Sequence, residues 1–476
     1  MMYKILLVNT NIEKAPYPVP PLGLCMLAAA LRDQYEVHLY DGVFDEGQNL
    51  FTMVKEVNPD IIGFSIRNID DVVMDREIFY VDGILEKFIR PVKAVTGVPL
   101  ILGGSGFSMF PVELMKMTGA DFGIVGEAEA ILPVLLERIL GHQNTADLPN
   151  IITLNGLEVQ TGNAYHFLKP VPGRFTEVDK WIDFAPYRQK GVYSIQTKRG
   201  CSHGCIYCSY PMIEGRKFRP RTPTDIVDEI EQAYQRLGNV TFEFVDSTFN
   251  DPKGHAESIC REIIRRKVSV KLRTMGINPR HASEELFELM VAAGFVQIDV
   301  TPDTASPQML GNLCKGFGLP EIERMAGWIR KFNIPTMWFF LFGGPGEDEE
   351  TFRETLEFID NFINPDDLVY MNAGLRIYPN TPLCSIALQE GMITTAQSVF
   401  HPPAYYYSPL IGKARLDQLI YQASKVRHHC IHALETAPPA EMIKEAIELR
   451  KQLPKDEPMF RTLLRIRVKW RETGRI

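Results

Sequence analysis

Long uninterrupted apolar runs are missing from this chain of 476 residues. None reaches the roughly 18 residues that a membrane-spanning helix needs, so no such span is expected. Cationic excess is missing as well. A net charge of −8 argues against general affinity for nucleic acid or anionic membrane. Evenly spread cysteine pairs are the third absence. The eight cysteines stand at 25, 201, 205, 208, 260, 314, 384 and 430, and three of them crowd into one short stretch. A secreted disulfide scaffold would distribute them over a small chain, so a reducing cytosol is the expected compartment. The start, Met1-Met2-Tyr3-Lys4-Ile5-Leu6-Leu7-Val8, reads as a first β-strand, its apolar run being too short for a signal peptide. The remainder, 45% hydrophobic and 23% charged, is the composition of a globular enzyme with two or three domains.

Strand and helix signals alternate over residues 1–141. Strands are expected at Ile5–Asn9, Val37–Tyr40, Ile61–Ser65, Leu100–Leu102 and Phe122–Val125. Helices are expected at Leu22–Arg32, at Asp82–Val95 with a kink at Pro91, and at Ala130–Leu140. That rhythm implies a doubly wound parallel sheet with helices on both faces. Ligands of such sheets bind at the carboxyl ends of strands, here the loops after Asn9, Ser65, Leu102 and Val125. Residues 142–190 read as a linker with a small hairpin around Asn155-Gly156. A second alternating run over 191–385 gives strands at Tyr193–Thr197, Thr241–Val245, Val268–Leu272, Phe295–Val300, Thr336–Phe342 and Leu368–Ile377, with helices between them. Six strands suit a partial (β/α)6 barrel. Residues 386–476 are mostly helical. The basic tail Arg461–Arg475 reads as a solvated surface helix, and the stretch His401–Tyr407 as core packing in preference to a lid.

The chemistry concentrates in Arg199-Gly200-Cys201-Ser202-His203-Gly204-Cys205-Ile206-Tyr207-Cys208. Three close thiolates on one loop suit three irons of a [4Fe–4S] cube, and the fourth iron keeps an open site. Gly200 and Gly204 permit a tight backbone path. Structural zinc is the competing assignment, but zinc wants four ligands and His203 lies poorly placed between two cysteines.

C-x₃-C-x₂-C with an aromatic before the last cysteine resembles the radical S-adenosylmethionine (radical SAM) superfamily signature. Pro20-Pro21-Leu22-Gly23-Leu24 and Gly103-Gly104 in an α/β domain ahead of the barrel resemble the subgroup with a cobalamin-binding domain, many of whose members are methyltransferases. The resemblance implies a Rossmann-like cobalamin domain, a radical SAM barrel and a helical C-terminal region. It implies three cofactors: a [4Fe–4S] cluster on Cys201, Cys205 and Cys208, S-adenosylmethionine, and cobalamin. Tyr207, Asp246, Asp303, Gly343 and Gly344 match family positions near S-adenosylmethionine, although Thr301-Pro302-Asp303-Thr304 departs from the usual family sequence there. Asp246, Arg273 and Arg376 are catalytic candidates. Pro20, Leu22, Gly23, Ser65, Arg67, Gly103, Gly104, Gly126 and Glu127 are the expected cobalamin contacts.

The Asp-x-His-x-x-Gly motif of other cobalamin proteins is absent after the first strand, which reads Asn9-Thr10-Asn11-Ile12-Glu13-Lys14. The resemblance therefore implies cobalamin without a histidine below cobalt, with Arg67 beneath it unless Arg67 pairs with Asp70 or Asp71. The implied reaction is methylation of an unreactive carbon of a small molecule through a 5′-deoxyadenosyl radical and methylcobalamin. The alternative is a rearrangement, ring closure or other non-methylating reaction. The electron donor would be a flavodoxin or ferredoxin. A methylthiotransferase needs three further N-terminal cysteines and only Cys25 precedes Cys201. A sensor would need an output module, which is not seen.

Overall fold

A computed structural model describes residues 2–76, 78–155, 158–161, 177–435, 438–454 and 457–475. Five parallel strands open the chain: β1 (Lys4–Asn9), β2 (Glu36–Asp41), β3 (Ile61–Ser65), β4 (Leu100–Gly103) and β5 (Phe122–Ile124). The hairpin expected in the linker is β6 (Ile151–Asn155) and β7 (Glu158–Thr161). It is part of the first sheet, adding two antiparallel strands in the order β2-β1-β3-β4-β5-β6-β7. Ile5, Leu6, Leu7 and Val8 are all buried because apolar clusters cover both faces of the sheet. Truncating Leu6 to alanine would cost about 2–5 kcal/mol.

The segment expected as one helix kinked at Pro91 is instead divided into three short pieces. Pro91 has no N–H for the carbonyl of Lys87, and the segment widens into a π-helical turn, Leu85–Ile89, between two short α-helices.

The second sheet contains β8 (Tyr193–Ile195). A small ribbon follows, β9 (Lys198–Arg199) with β10 (Arg219–Pro220). The sheet continues with β11 (Thr241–Phe244), β12 (Lys271–Ile277), β13 (Phe295–Asp303), β14 (Thr336–Phe342) and β15 (Leu368–Ala373). Leu368–Ile377 is not one strand. Gly374, at φ +76, breaks it, and β16 (Leu375–Arg376) pairs instead with β17 (Tyr405–Tyr406). A seventh parallel strand, β18 (Cys430–His432), comes from the C-terminal region and gives the order β18-β15-β14-β13-β12-β11-β8. Helices between these strands begin with a repeated local device. Thr222, Ser306 and Thr381 each accept the backbone N–H three residues on, with Pro223, Pro307 and Pro382 in the first helical position.

The basic tail differs from expectation. It forms the helix Met459–Glu472, which packs on the start of β15 through Phe460 and Leu464 against Leu368, with Arg461 enclosed and bonded to Asp367 at 2.8 Å. Arg465, Arg467 and Arg475 pair with Glu457, Glu435, Glu441 and Glu445. Core packing holds for only part of His401–Tyr407: Tyr406 is fully buried, whereas His401 and Pro402 are exposed, with His401 stacked on Phe79 at 4.2 Å.

Candidate active site

The cysteine loop leaves β9 at Gly200, whose φ of +84 and approach to Lys217 exclude any side chain: an added Cβ would lie 2.1 Å from that carbonyl oxygen. Gly204 has no such requirement, since no atom of the described residues lies within 4 Å of its would-be Cβ. Cys201 N–H donates to Gly215 O at 3.0 Å and Cys208 N–H to Cys205 O at 3.3 Å. Cys201 is buried, and Cys205 and Cys208 are half-buried. Burial pushes all three thiols up, Cys208 to about 12, so an electrophilic centre must be present for them to serve as thiolates. Soft sulfur donors alone make up the set, which suits iron–sulfur ligation. His203 is engaged elsewhere, 2.8 Å from Asp251 and 3.0 Å from Asn278, which removes the zinc assignment's fourth ligand.

Several expected ligand contacts are engaged in holding this loop. Asp246 is buried and accepts the N–H and hydroxyl of Thr197 at 2.8 and 2.6 Å and the N–H of Lys198 at 3.2 Å, with Lys198 Nζ at 3.4 Å. It fixes the strand that delivers the cysteines and does not offer a carboxylate to a ligand. Tyr207 donates its hydroxyl to Asp303, and both bond Lys315, at 3.1 and 2.5 Å respectively. Burial disfavours the Lys315 charge, but Asp303 more than offsets it. Asp303 sits at φ +67. Lys315 carried no sequence signal of its own. Gly343 and Gly344 direct their N–H groups to the buried carboxyl of Glu347, at 3.1 Å for Gly344, so those donors are not free.

In the first domain the order β2-β1-β3 places the topological switch between β1 and β3. Asn9 bonds Asp41 at 2.8 Å, Thr10 bonds the Ser65 carbonyl at 2.8 Å, and Asn68 bonds Asn11 at 3.3 Å, knitting the loops at that edge. His38 lies away from it, paired with Glu36. The loop after β4 packs backbone to backbone on the loop after β3. A Cβ on Gly104 would meet Ile66 O at 2.5 Å, and one on Gly106 would meet Arg67 O at 2.8 Å. The two loops thus meet backbone to backbone at the carboxyl edge of the sheet, where a corrin would bind. Ser65 and Gly103 border it, and Gly126 N–H donates to Ser108 at 2.8 Å. Leu22 packs on the second domain's core and Gly23 is exposed; Pro20 is buried and accepts the N–H of Leu22.

Arg67 is exposed and has no ion-pair partner among the described residues. Asp70 pairs with Arg376 and Asp71 with Arg76, so the local ion pair weighed for Arg67 does not form. The Arg67 charge acts on Glu243 and Tyr210 of the second domain, which places it in the space between the domains.

Two expectations are corrected here. Glu127 is not a free cofactor contact: it pairs with Arg219 and lies 3.4 Å from Arg199. Glu129 also grips Arg199, and together these pairs clamp the first domain to the cysteine loop. Arg376 is not a cavity residue. It is enclosed, with Asp70 at 2.9 Å and carbonyls of Ile377, Val399 and Ala404 at 2.8, 2.8 and 3.1 Å.

Arg273 lies on the inner face of the second sheet, with Glu243 at 2.7 Å and the Tyr17 ring at 4.6 Å. Glu243, Asp299 and Tyr17 were missed by sequence reasoning. The usable signal was alternation: Phe242-Glu243-Phe244 and Ile298-Asp299-Val300 place acids opposite an apolar face.

Comparison with known proteins agrees with this geometry. The radical SAM superfamily profile matches residues 195–359 and the B12 binding domain profile residues 8–136. Tryptophan 2-C-methyltransferase of Streptomyces laurentii is 28% identical over 464 residues, covering 83% of this chain and 76% of that protein. The structure of the radical S-adenosylmethionine methyltransferase TsrM from Kitasatospora setae, with cobalamin and a [4Fe–4S] cluster bound, superposes with a TM-score of 0.81 at 25% identity, covering 99% and 100% of the two chains. The same protein with tryptophan and the analogue aza-SAM bound gives 0.79 at 24% identity, covering 99% of each chain.

Proposed function

Because the chain belongs to the radical SAM superfamily, in the subgroup that carries a B12-binding domain, we propose that it transfers a methyl group to an unreactive carbon of a small molecule. The observation that carries this reading is spatial. Arg67, on the loop that leaves the first sheet's switch point, has no ion-pair partner among the described residues, and its charge acts on Tyr210, two residues beyond Cys208.

When bound, cobalamin would supply a methyl carrier, S-adenosylmethionine a methyl donor and a cleavable sulfonium, and the cluster the electron that cleaves it. The protein supplies position. Cys201, Cys205 and Cys208 hold the cluster, and Asp246 fixes the loop through Thr197 and Lys198. Ser65, Gly103 and Gly104 would hold the corrin, and the Arg67 cation beside them would disfavour water at the metal. Tyr207, held by Asp303 and Lys315, lines the S-adenosylmethionine side. The pairs Glu127–Arg219 and Glu129–Arg199 close the space on one flank, which restricts water. A small-molecule acceptor is supported by the relative named for acting on tryptophan. A flavodoxin or ferredoxin supplies the electron. No helix among the described residues is long and apolar enough to cross a membrane.

The test needs no knowledge of the acceptor. Anaerobically reconstituted protein is incubated with reductant and S-adenosylmethionine labelled in its methyl group. Label is expected on protein-bound cobalamin. Free 5′-deoxyadenosine with no labelled cobalamin would favour a non-methylating reaction.

A further inference from the structure

The inner face of the second sheet is unevenly furnished. On β11, β12 and β13 it carries Glu243, Arg273, Gln297 and Asp299, and on β14 and β15 it carries Phe339 and Tyr370. The other face of each strand packs on the helices through Phe242, Leu272, Ile298, Trp338 and Val369. Tyr17, from the loop after β1, reaches across the domain boundary and donates to Glu243 at 2.6 Å. The acidic patch therefore lies where the first domain's ligand loops meet the barrel interior.

Charge in this patch does not balance. Two carboxylates face one guanidinium, and Arg273 is already engaged by Glu243 and by the Tyr17 ring. Glu243 Oε2 is fully buried with no hydrogen-bond partner among the described residues. Asp299 receives a hydrogen bond from the neutral amide of Gln297 at 3.0 Å. Burial pushes the Asp299 carboxyl up to about 6 and raises that of Glu243. Arg67 acts on Glu243 from the first domain, but it is exposed and therefore screened. A buried carboxylate oxygen without a donor is costly unless a ligand supplies one. Further along the same face, Phe339 and Tyr370 are half-buried, with ring centroids 5.5 Å apart and tilted by 49°. Met275, two residues beyond Arg273, is 45% exposed, so the concave face is open there.

We propose that Glu243, Asp299 and Gln297 form a subsite for a cationic nitrogen of a small aromatic acceptor whose ring lies against Phe339 and Tyr370. This rests on the reading that the acceptor enters the space between the domains. It adds the acceptor's chemical class: an aromatic amine or amino compound, not an aromatic acid. An ammonium would give Glu243 Oε2 and Asp299 the charged donor they lack. The aromatic pair offers apolar area and ring faces at the other end.

Two probes of matched size separate this from general apolar binding: 2-phenylethylamine and 3-phenylpropionate. Calorimetry uses the full-length holoenzyme after iron and cobalamin have been counted and the cofactor spectra recorded. The amine is expected to bind at least about tenfold more tightly than the acid, the effect of one charge-assisted hydrogen bond. Asp299→Asn is expected to weaken the amine by about tenfold and leave the acid unchanged. Glu243→Gln, which keeps an acceptor for Tyr17, is expected to do the same. Equal affinity, preference for the acid, or no binding of either probe to cofactor-loaded protein overturns the subsite. Failure to retain cobalamin or iron defeats the proposed function instead, and the cofactor count distinguishes the two.

Discussion

Asp70 and Arg376 are 306 residues apart in sequence and joined by a buried ion pair, Nε to Oδ2 at 2.9 Å. The pair locks the loop after β3 to the β16–β17 ribbon. Asp70 also accepts the N–H of Val72 at 3.0 Å, and Val72 is held at φ +57, a costly conformation for a β-branched residue. The Arg376 guanidinium lies over the rings of Phe110, Tyr378 and Tyr405 at 5.7, 5.2 and 5.8 Å. Removing one partner leaves an uncompensated buried charge. Asp70→Asn is therefore expected to destabilise the fold by about 3–5 kcal/mol, read by chemical denaturation of the apoprotein. A loss below about 1 kcal/mol would place the pair in solvent.

Single substitution of the cluster thiols separates the two cofactor sites. Cys208→Ala is expected to lose most of its iron after anaerobic reconstitution and to retain cobalamin, because the first sheet has its own apolar cores. Iron analysis and the cobalamin absorption spectrum read both. Simultaneous loss of cobalamin would show that the domains do not hold their groups separately.

Arg67→Ala should let water reach the lower face of cobalt. The expected result is an absorption and EPR change toward a water-ligated species, with methyl transfer slowed by about tenfold or more, an electrostatic contribution of ordinary size. Arg67→Lys should recover part of this, since it restores charge without the planar fork.

Glu347 gives a pH signature. Burial raises its carboxyl to about 8, against the N–H groups of Gly343 and Gly344, which lower it. The folded state thus keeps a proton that the unfolded state releases at an ordinary carboxyl pKa. Its stabilising contribution is complete below that ordinary value and is lost as pH rises through about 8. Glu347→Gln has no proton to lose. Above that pH its melting temperature is expected to exceed the wild type's by about 2 °C or more, with little difference at pH 5.

The sequence made some parts of this structure legible and others not, for identifiable reasons. The cysteine loop was readable because its ligands lie within one short segment. The principal parallel strands were readable because their apolar runs are local. β18 was missed because Cys430–His432 is too short to show a period. The break at Gly374 was missed because Leu368–Ile377 is continuously compatible with a strand. Arg376, Glu127 and Asp246 were read as ligand contacts from their places at strand ends. Their partners, Asp70, Arg219 and Thr197, come from distant segments that only the tertiary fold brings together. The acids of the barrel interior were visible as alternation, but alternation does not say which face is a lumen.

The central claim is that the cluster and cobalamin face one another across a single space. Its most direct test is the EPR spectrum of reduced holoenzyme carrying both the paramagnetic cluster and cob(II)alamin. The account predicts signals split and broadened by mutual spin coupling, with the cob(II)alamin signal reverting to an uncoupled form in Cys208→Ala. Two independent, unbroadened signals from fully loaded protein would contradict it.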